Sequence, residues 1–340
     1  MPLRHPSPSP SHFPQILYWL IAVLVLLSLH TQDLMAEWLH DNAAIMGTRV
    51  SVELWHERED QGRRAIQEVF DEFRRLDDKL SPYKEHSELS LVNRMAAEGP
   101  LPISEEFFQL LERSREYSEL TQGAFDITFA SVGHLYDYRT GEKPSPETTQ
   151  ASLPLIDYHH VILDREQRSV FFQRPGVKID LGGIAKGYAV DQAIALLQKR
   201  GIRHALVTAG GDSRLLGDHQ GRPWQIGIQA PRRKNAIATT LNLSDTAVST
   251  SGDYERYFES DGVRYHHIIS PKTGRSASEM QSVTIIGPNA TRTDALSTSL
   301  FVLGVEAGMD LINRLDDVEA VMIDAHGKLF LSQGLQGQKP

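Results

Sequence analysis

Strand-like and helix-like stretches follow one another without regular alternation in this 340-residue chain, and that order constrains its fold more than any single motif. The run from Ile45 to Leu54, with Val50, Val52 and Leu54 at alternate positions, predicts an opening strand. Ala65, Ile66, Val69, Phe70, Phe73, Leu76 and Leu80 then recur at helical spacing. A second helix is predicted from about Ser104 to Thr121, stopped by Gly123, whose missing Cβ suits a left-handed cap. The stretch from Thr140 to Pro154, rich in Pro, Ser, Thr and Glu, reads as a surface excursion. Short strands are predicted at His160 to Asp164 and Ser169 to Gln173, then a helix from Ile184 to Arg200 closed by Gly201, then a buried strand from Ala205 to Thr208. Strands near Trp224 to Gln229, Thr246 to Thr250, His266 to Ser270 and Val283 to Ile286 precede a helix beginning near Thr293. A hairpin, Ala320 to Asp324 and Leu329 to Leu331, closes the chain. A doubly wound parallel sheet needs strand and helix in turn. This order implies instead an α+β fold, in a chain long enough for one large domain or two.

Ahead of these elements, Ile16 to Leu29 is an uncharged run of fourteen residues behind a proline-rich stretch carrying Arg4. Its length matches a signal-peptide core and is short of the roughly 20 apolar residues of a spanning helix. Residues 1–36 therefore read as a signal peptide, or as a signal anchor held in the inner membrane through residues 14–30. The expected location is exported: periplasmic, or on the periplasmic side of the inner membrane. The formal charge is −9, with no lysine- or arginine-rich block, which argues against a nucleic-acid partner. Cysteine is absent. Disulfides, thiolate metal sites, a cysteine nucleophile and lipidation on an N-terminal cysteine are thereby excluded, and any metal must sit on oxygen or imidazole.

Chemistry concentrates in a few stretches. In Lys178 to Asp191, KIDLGGIAKGYAVD, an acid ends a strand and a glycine pair opens a helix, so free backbone N–H groups face any anion placed there. The spacing is neither that of a P-loop nor GxGxxG, and such a turn is as often structural. In Thr291 to Thr298, TRTDALST, Asp294 and Thr298 lie four apart on one helix face and offer two hard oxygen ligands suited to Mg²⁺. An Asp near a helix start is more commonly a cap. In Tyr265 to Gly274, YHHIISPKTG, adjacent histidines on a strand point to opposite faces, so at most one can serve a site. Phe125, in GAFD, and Tyr83, in LSPYKEHSELSLVN, flank helices and could stack on an aromatic ring or belong to the core.

Taken in order, MGT at Met46, SPY at Ser81, GAFD, DLGGIAKGYAVD, TAGGD at Thr208, STSGDYERYF at Ser249, HHIISPKTG and TDALST resemble the ApbE family, the FAD:protein FMN transferases. The resemblance runs from Met46 to about Gly304, and it implies one large α+β domain over residues 37–335 with a mixed or antiparallel sheet and flanking helices. It implies an exported enzyme that takes FAD as substrate, uses a divalent cation, usually Mg²⁺, and transfers FMN to a Ser or Thr hydroxyl of a partner protein, releasing AMP. It implies FAD contacts at Met46, Tyr83, Ala124, Phe125, Asp126, Asp180, Lys186 and Ile268. It implies a metal held by the Gly183 carbonyl, Asp294 and Thr298, and it matches His267 to the family's strand-end histidine. Acceptors would be flavin-carrying subunits of redox complexes or exported reductases. Ser270 stands where many members carry an acid, and the lipoprotein form of many members is closed to a chain without cysteine.

On this reading a hydroxyl attacks the FMN-side phosphorus, with His267 taking the proton and Asp180 the competing base. The same site with water in place of the hydroxyl would be a metal-dependent FAD pyrophosphatase giving FMN and AMP. A non-catalytic exported FAD-binding module is the third alternative, and it would have little use for a metal at Asp294 and Thr298.

Overall fold

The computed structural model describes residues 1–2, 37–233 and 236–336. The apolar segment at 16–29, on which the targeting expectation rests, lies outside the described residues. Strands β1 (Glu37–Ile45), β2 (Thr48–His56), β3 (Ala205–Ala209), β4 (Asp212–Leu216), β5 (Ala247–Gly252), β6 (Met280–Gly287), β7 (Glu319–Asp324) and β8 (Leu329–Leu331) form one eight-stranded sheet. Their order in space is their order in the chain, and every neighbouring pair is antiparallel. The mixed-or-antiparallel expectation thus resolves to antiparallel, with no crossover inside the sheet.

Three helices cover one face: α1 (Glu59–Leu80) over β1 and β2, α2 (Ala185–Lys199) over β3 and β4, and α3 (Ala290–Ile312) over β4 to β7. The insertion between β2 and β3 supplies α1, α2, helices Glu88–Met95 and Glu105–Leu120, and a small sheet of Leu101–Pro102, Val161–Asp164 and Ser169–Phe172. The opposite face is covered by the hairpin of Trp224–Gln229 and Ile237–Leu243, which helps bury Leu215, Val248 and Ile286. Side-chain alternation assigns the faces. In β4, Asp212, Arg214 and Leu216 turn toward the helices, while Leu215 joins the core under the hairpin. Both faces of β6 are covered, and all eight of its residues are buried. Helix α3 is apolar enough to span a membrane by composition, with mean hydropathy 1.5, but here it is a core helix against the sheet. It breaks at Gly304, where φ is +76°.

Two expectations need correction. The opening strand is a hairpin, turned at Met46 and Gly47 with φ of 53° and 67°. β1 lacks a clean apolar alternation because it is an edge strand, its burial rising only at Leu39 and Ile45. The single strand expected from His266 to Ser270 is split into Val263–His266 and Ile269–Ser270, leaving His267 and Ile268 in the break. The helices expected at 65–80, 104–121 and 184–200 fall within a few residues of Glu59–Leu80, Glu105–Leu120 and Ala185–Lys199, and Gly123 and Gly201 end two of them at φ of 83° and 79°.

Glu106 ties this helical layer together. Its carboxylate accepts hydrogen bonds from Arg75 of α1 at 2.7 and 2.8 Å, from Lys79 at 2.7 Å and from the Tyr188 hydroxyl of α2 at 3.1 Å. The Arg75 guanidinium, aided by Lys79 against the cost of burial, lowers the Glu106 pKa from 4.5 to about 2. A carboxylate more acidic in the folded state stabilises above its unfolded pKa and loses that contribution as pH falls toward the folded value. Glu106→Gln is expected to cost about 1–2 kcal/mol at pH 7 in urea unfolding, reduced because Arg75 is partly exposed. The gap between variant and parent should close as pH falls from about 4.5 toward 2.

Candidate active site

The N-terminus of α2 and the first turns of α3 meet at Gly187. A Cβ there would collide with the Ala290 carbonyl oxygen and come within 2.7 Å of the Asp294 Cβ, so only glycine lets the two backbones approach this closely. Paired hydrogen bonds lock the crossing. The Gly187 N–H donates to Asp294 Oδ2 at 2.9 Å. In return, Asp191 of α2 accepts from the N–H groups of Ala290 and Thr291, both at 2.8 Å, and from the Thr291 hydroxyl at 2.6 Å. Asp191 therefore satisfies orphan donors in the first turn of α3 from a neighbouring helix, while Asn289 serves as its own N-cap.

Lys186 sits between two buried acids. Its Nζ is 2.9 Å from Asp212 and 3.4 Å from both oxygens of Asp294, and it donates to the Gly182 carbonyl at 3.1 Å. Asp212 and Asp294 are each only 2% exposed. Burial opposes the ammonium, but the two carboxylates outweigh it and raise the Lys186 pKa above the ordinary lysine value. Burial, reinforced by Asp212, pushes the Asp294 pKa up. With both acids ionised, two carboxylates and one ammonium leave the cluster one positive charge short of balance, which favours a further cation.

Gly183, Asp294 and Thr298, expected as metal donors, lie near one another at this crossing. Thr298 lies one turn beyond Asp294, and its Oγ1 would be 3.2 Å from a Cβ at Gly183. The hydroxyls beside it form a directional chain. Ser297 donates to the Asp294 carbonyl at 2.9 Å, so the 2.9 Å contact between Ser251 and Ser297 must use the Ser251 proton. The 3.3 Å contact between Thr298 and Ser251 must then use the Thr298 proton, which leaves the Thr298 lone pairs for a ligand. A hydroxyl presenting lone pairs and a half-paired carboxylate, with Gly183 packed against Thr298, have the hard-oxygen chemistry that suits Mg²⁺. Among the described residues no cluster of three His, Cys, Asp or Glu offers an alternative.

His267, Asp180 and Arg256 border the same site. All three lie half-buried or exposed at its rim, close enough to one another and to Lys186 to shift proton affinities. Burial lowers the His267 pKa to about 3, with Arg256, His266 and Lys186 adding to the effect, so the imidazole is neutral at physiological pH. Its Nδ1 is buried without a hydrogen-bond partner among the described residues. His266 faces the other way, giving a 2.6 Å contact from Nε2 to the Ala277 carbonyl and packing edge-on to Phe301. Burial raises the Asp180 pKa, while its Oδ1 accepts from the Gly182 N–H at 2.6 Å. The Arg256 guanidinium reaches the Gly47 carbonyl at 3.3 Å, which ties the Met46 turn to this rim.

The remaining sequence candidates divide. Tyr83 is 82% exposed and available for stacking. Phe125 is buried, its ring edge 3.2 Å from a Cβ at Gly183, so it floors the α2 terminus. Ala124 is half-buried beside it, and Ile268 is buried in a core cluster with Leu300 and Phe301. The Asp126 carboxylate is spent on its own loop, accepting from the Thr128 N–H at 2.8 Å, the Thr128 hydroxyl at 2.6 Å and the Tyr158 N–H at 2.9 Å. Sequence reading missed roles for Asp191, Asp212, Ser251 and Arg256, although each lies inside a motif already singled out. The available signal was strand alternation: Ser249 and Ser251, two apart on β5, meet Thr293 and Ser297, four apart on α3.

Comparison with known proteins matches the ApbE family over residues 46–322. The chain is 32% identical to an FAD:protein FMN transferase of Klebsiella pneumoniae, over 86% of this chain and 90% of that protein. It is 32% identical to one of Vibrio cholerae over 90% and 93%. The crystal structure of an ApbE protein from Thermotoga maritima superposes with a TM-score of 0.82 at 33% identity, covering 88% of this chain and 98% of that one. The flavin transferase ApbE of Vibrio cholerae does so with a TM-score of 0.78 at 28% identity, covering 88% and 99%.

Because the helix crossing leaves no room at Gly187, Gly187→Ala is expected to destabilise the fold by about 2–3 kcal/mol. The readout is a lower urea midpoint with an unchanged slope.

Proposed function

The chain belongs to the ApbE family, and from that premise we propose that it is an FAD:protein FMN transferase. It would use Mg²⁺ to move the FMN half of FAD onto a Thr or Ser hydroxyl of an acceptor protein, releasing AMP. The observation that carries this reading is the proximity of Gly183, Asp294 and Thr298 at the start of α2, with a neutral histidine at the rim.

Around the start of α2 the N–H groups of Gly182, Ile184, Ala185 and Gly187 are bonded within the fold, so among the described residues the N–H groups of Gly183 and Lys186 are the ones left to meet a diphosphate, and the Arg256 guanidinium adds a positive group at the rim. Asp294, Thr298 and the Gly183 carbonyl would hold Mg²⁺, whose chemistry when bound is Lewis-acid neutralisation of charge on the diphosphate. The acceptor oxygen forms a new bond to the FMN-side phosphorus, the bond from that phosphorus to the AMP oxygen breaks, and the hydroxyl proton passes to His267. His267 is favoured over Asp180 because its Nδ1 is unpartnered whereas Asp180 already accepts a backbone hydrogen bond. Exposed Tyr83 is the natural stacking surface for a ring of the dinucleotide. The apolar run at 16–29 argues that the enzyme works outside the cytoplasm, on exported or membrane-bound redox subunits.

The test is incubation with FAD, Mg²⁺ and a purified acceptor subunit, followed by a denaturing gel viewed for flavin fluorescence. A fluorescent acceptor band is expected, and it should vanish with chelator or in Asp294→Ala. Free FMN without a labelled acceptor would replace the transferase reading with hydrolysis. His267→Ala should slow labelling by roughly 10²- to 10⁴-fold, and labelling at the parental rate would remove the histidine from its role.

A further inference from the structure

Asp212 has no part in the chemistry just described, yet it stands at the centre of the site. It opens β4 directly after the Gly210–Gly211 turn, is paired across the sheet with Ala209 and Ser249, and is 2% exposed. The Lys186 ammonium has three protons to give, and three groups receive them: Asp212 at 2.9 Å, the Gly182 carbonyl at 3.1 Å, and Asp294 at 3.4 Å. The contact to Asp294 is the longest and is split over both oxygens, so it is the one that yields first. We infer that Asp212 is a positioning residue that holds the Lys186 ammonium away from Asp294 and so keeps the Asp294 carboxylate open to a divalent cation.

The inference rests on the metal reading above. A lysine one residue from the glycine that binds Asp294 is the nearest competitor for that carboxylate. Its side chain is only 25% exposed, so it cannot swing freely into water when a cation arrives. It needs a fixed counter-charge, and a residue pinned by two strand partners supplies one. Without that charge the ammonium would close on Asp294 and block the cation by both occupancy and repulsion. Lys186 thereby acts as an internal placeholder, and Asp212 sets how firmly it competes.

Calorimetric titration of the FAD-free full chain with Mg²⁺, repeated with Mn²⁺, tests this without reference to turnover. Asp212→Asn keeps the side-chain volume and removes the charge, and it should weaken cation binding roughly 10- to 100-fold, as loss of an outer partner of a metal ligand commonly does. Lys186→Met should tighten binding relative to the parent. The double variant Asp212→Asn with Lys186→Met should bind at least as tightly as the parent, because the loss acts through the ammonium. Asp212→Asn binding within twofold of the parent, or a double variant as weak as Asp212→Asn, overturns the inference. Should Asp212→Asn fail to fold, Lys186→Met decides alone: unchanged or weaker binding overturns the placeholder role. A folded parent that binds neither cation brings down the metal reading and this inference together, which is distinct from a parent that binds while Asp212→Asn binds equally.

Discussion

The close crossing of α2 and α3 at Gly187 is the constraint on which the site depends. Because no side chain separates the two backbones, Asp294 can reach back to an N–H of α2 and Asp191 can reach forward to the first turn of α3. Each helix therefore fixes the terminus of the other, and both lie over β4, where Asp212 and Arg214 meet Lys186 and Asp191 from below. The antiparallel sheet makes this arrangement rigid. Its turns at Met46–Gly47 and Gly210–Gly211 lie on adjoining strand pairs, with the Gly210 N–H donating to the Arg49 carbonyl at 3.1 Å. The proposed divalent-ion site would need its donors held within a fraction of an ångström, and two interlocked helices over a sheet give Asp294 and Thr298 such a frame.

Much of this was legible from residues alone, for identifiable reasons. Helical periodicity located α1 and α2 because their buried faces are continuous, as Ile66, Val69, Phe73, Leu76 and Leu80 show. The glycine-rich opening of α2 and the Asp294–Thr298 spacing pointed to the helix crossing because both signals are local in sequence. The turn at Met46 escaped notice because a methionine at positive φ gives no compositional cue, unlike an Asn-Gly pair. Asp212, Ser251 and Arg256 escaped because their roles exist only across the sheet: Asp212 meets Lys186 from 26 positions away, and Arg256 meets Gly47 from 209. Asp126 shows the converse. Its motif pointed toward a ligand, whereas its carboxylate is fully engaged in shaping the Thr128 and Tyr158 turns.

That contrast among buried acids separates architecture from chemistry in this molecule. Asp126 accepts hydrogen bonds from two backbone N–H groups and a hydroxyl. Asp191 accepts from two backbone N–H groups, a hydroxyl and Arg214. Asp253 is gripped by Arg232 at 2.7 Å, with Arg264 at 3.6 Å. Each of these carboxylates has its accepting capacity taken up inside the fold, although burial still raises the Asp126 pKa. Asp294 is different: one backbone N–H at 2.9 Å is its only short contact, and the lysine it shares lies closer to Asp212. A carboxylate left under-coordinated in so well-satisfied a neighbourhood is costly for folding alone. On the proposed reading a bound cation would offset that cost, so the incompletely paired acid, more than the glycine-rich turn or the histidine, is where the fold would give up stability for function.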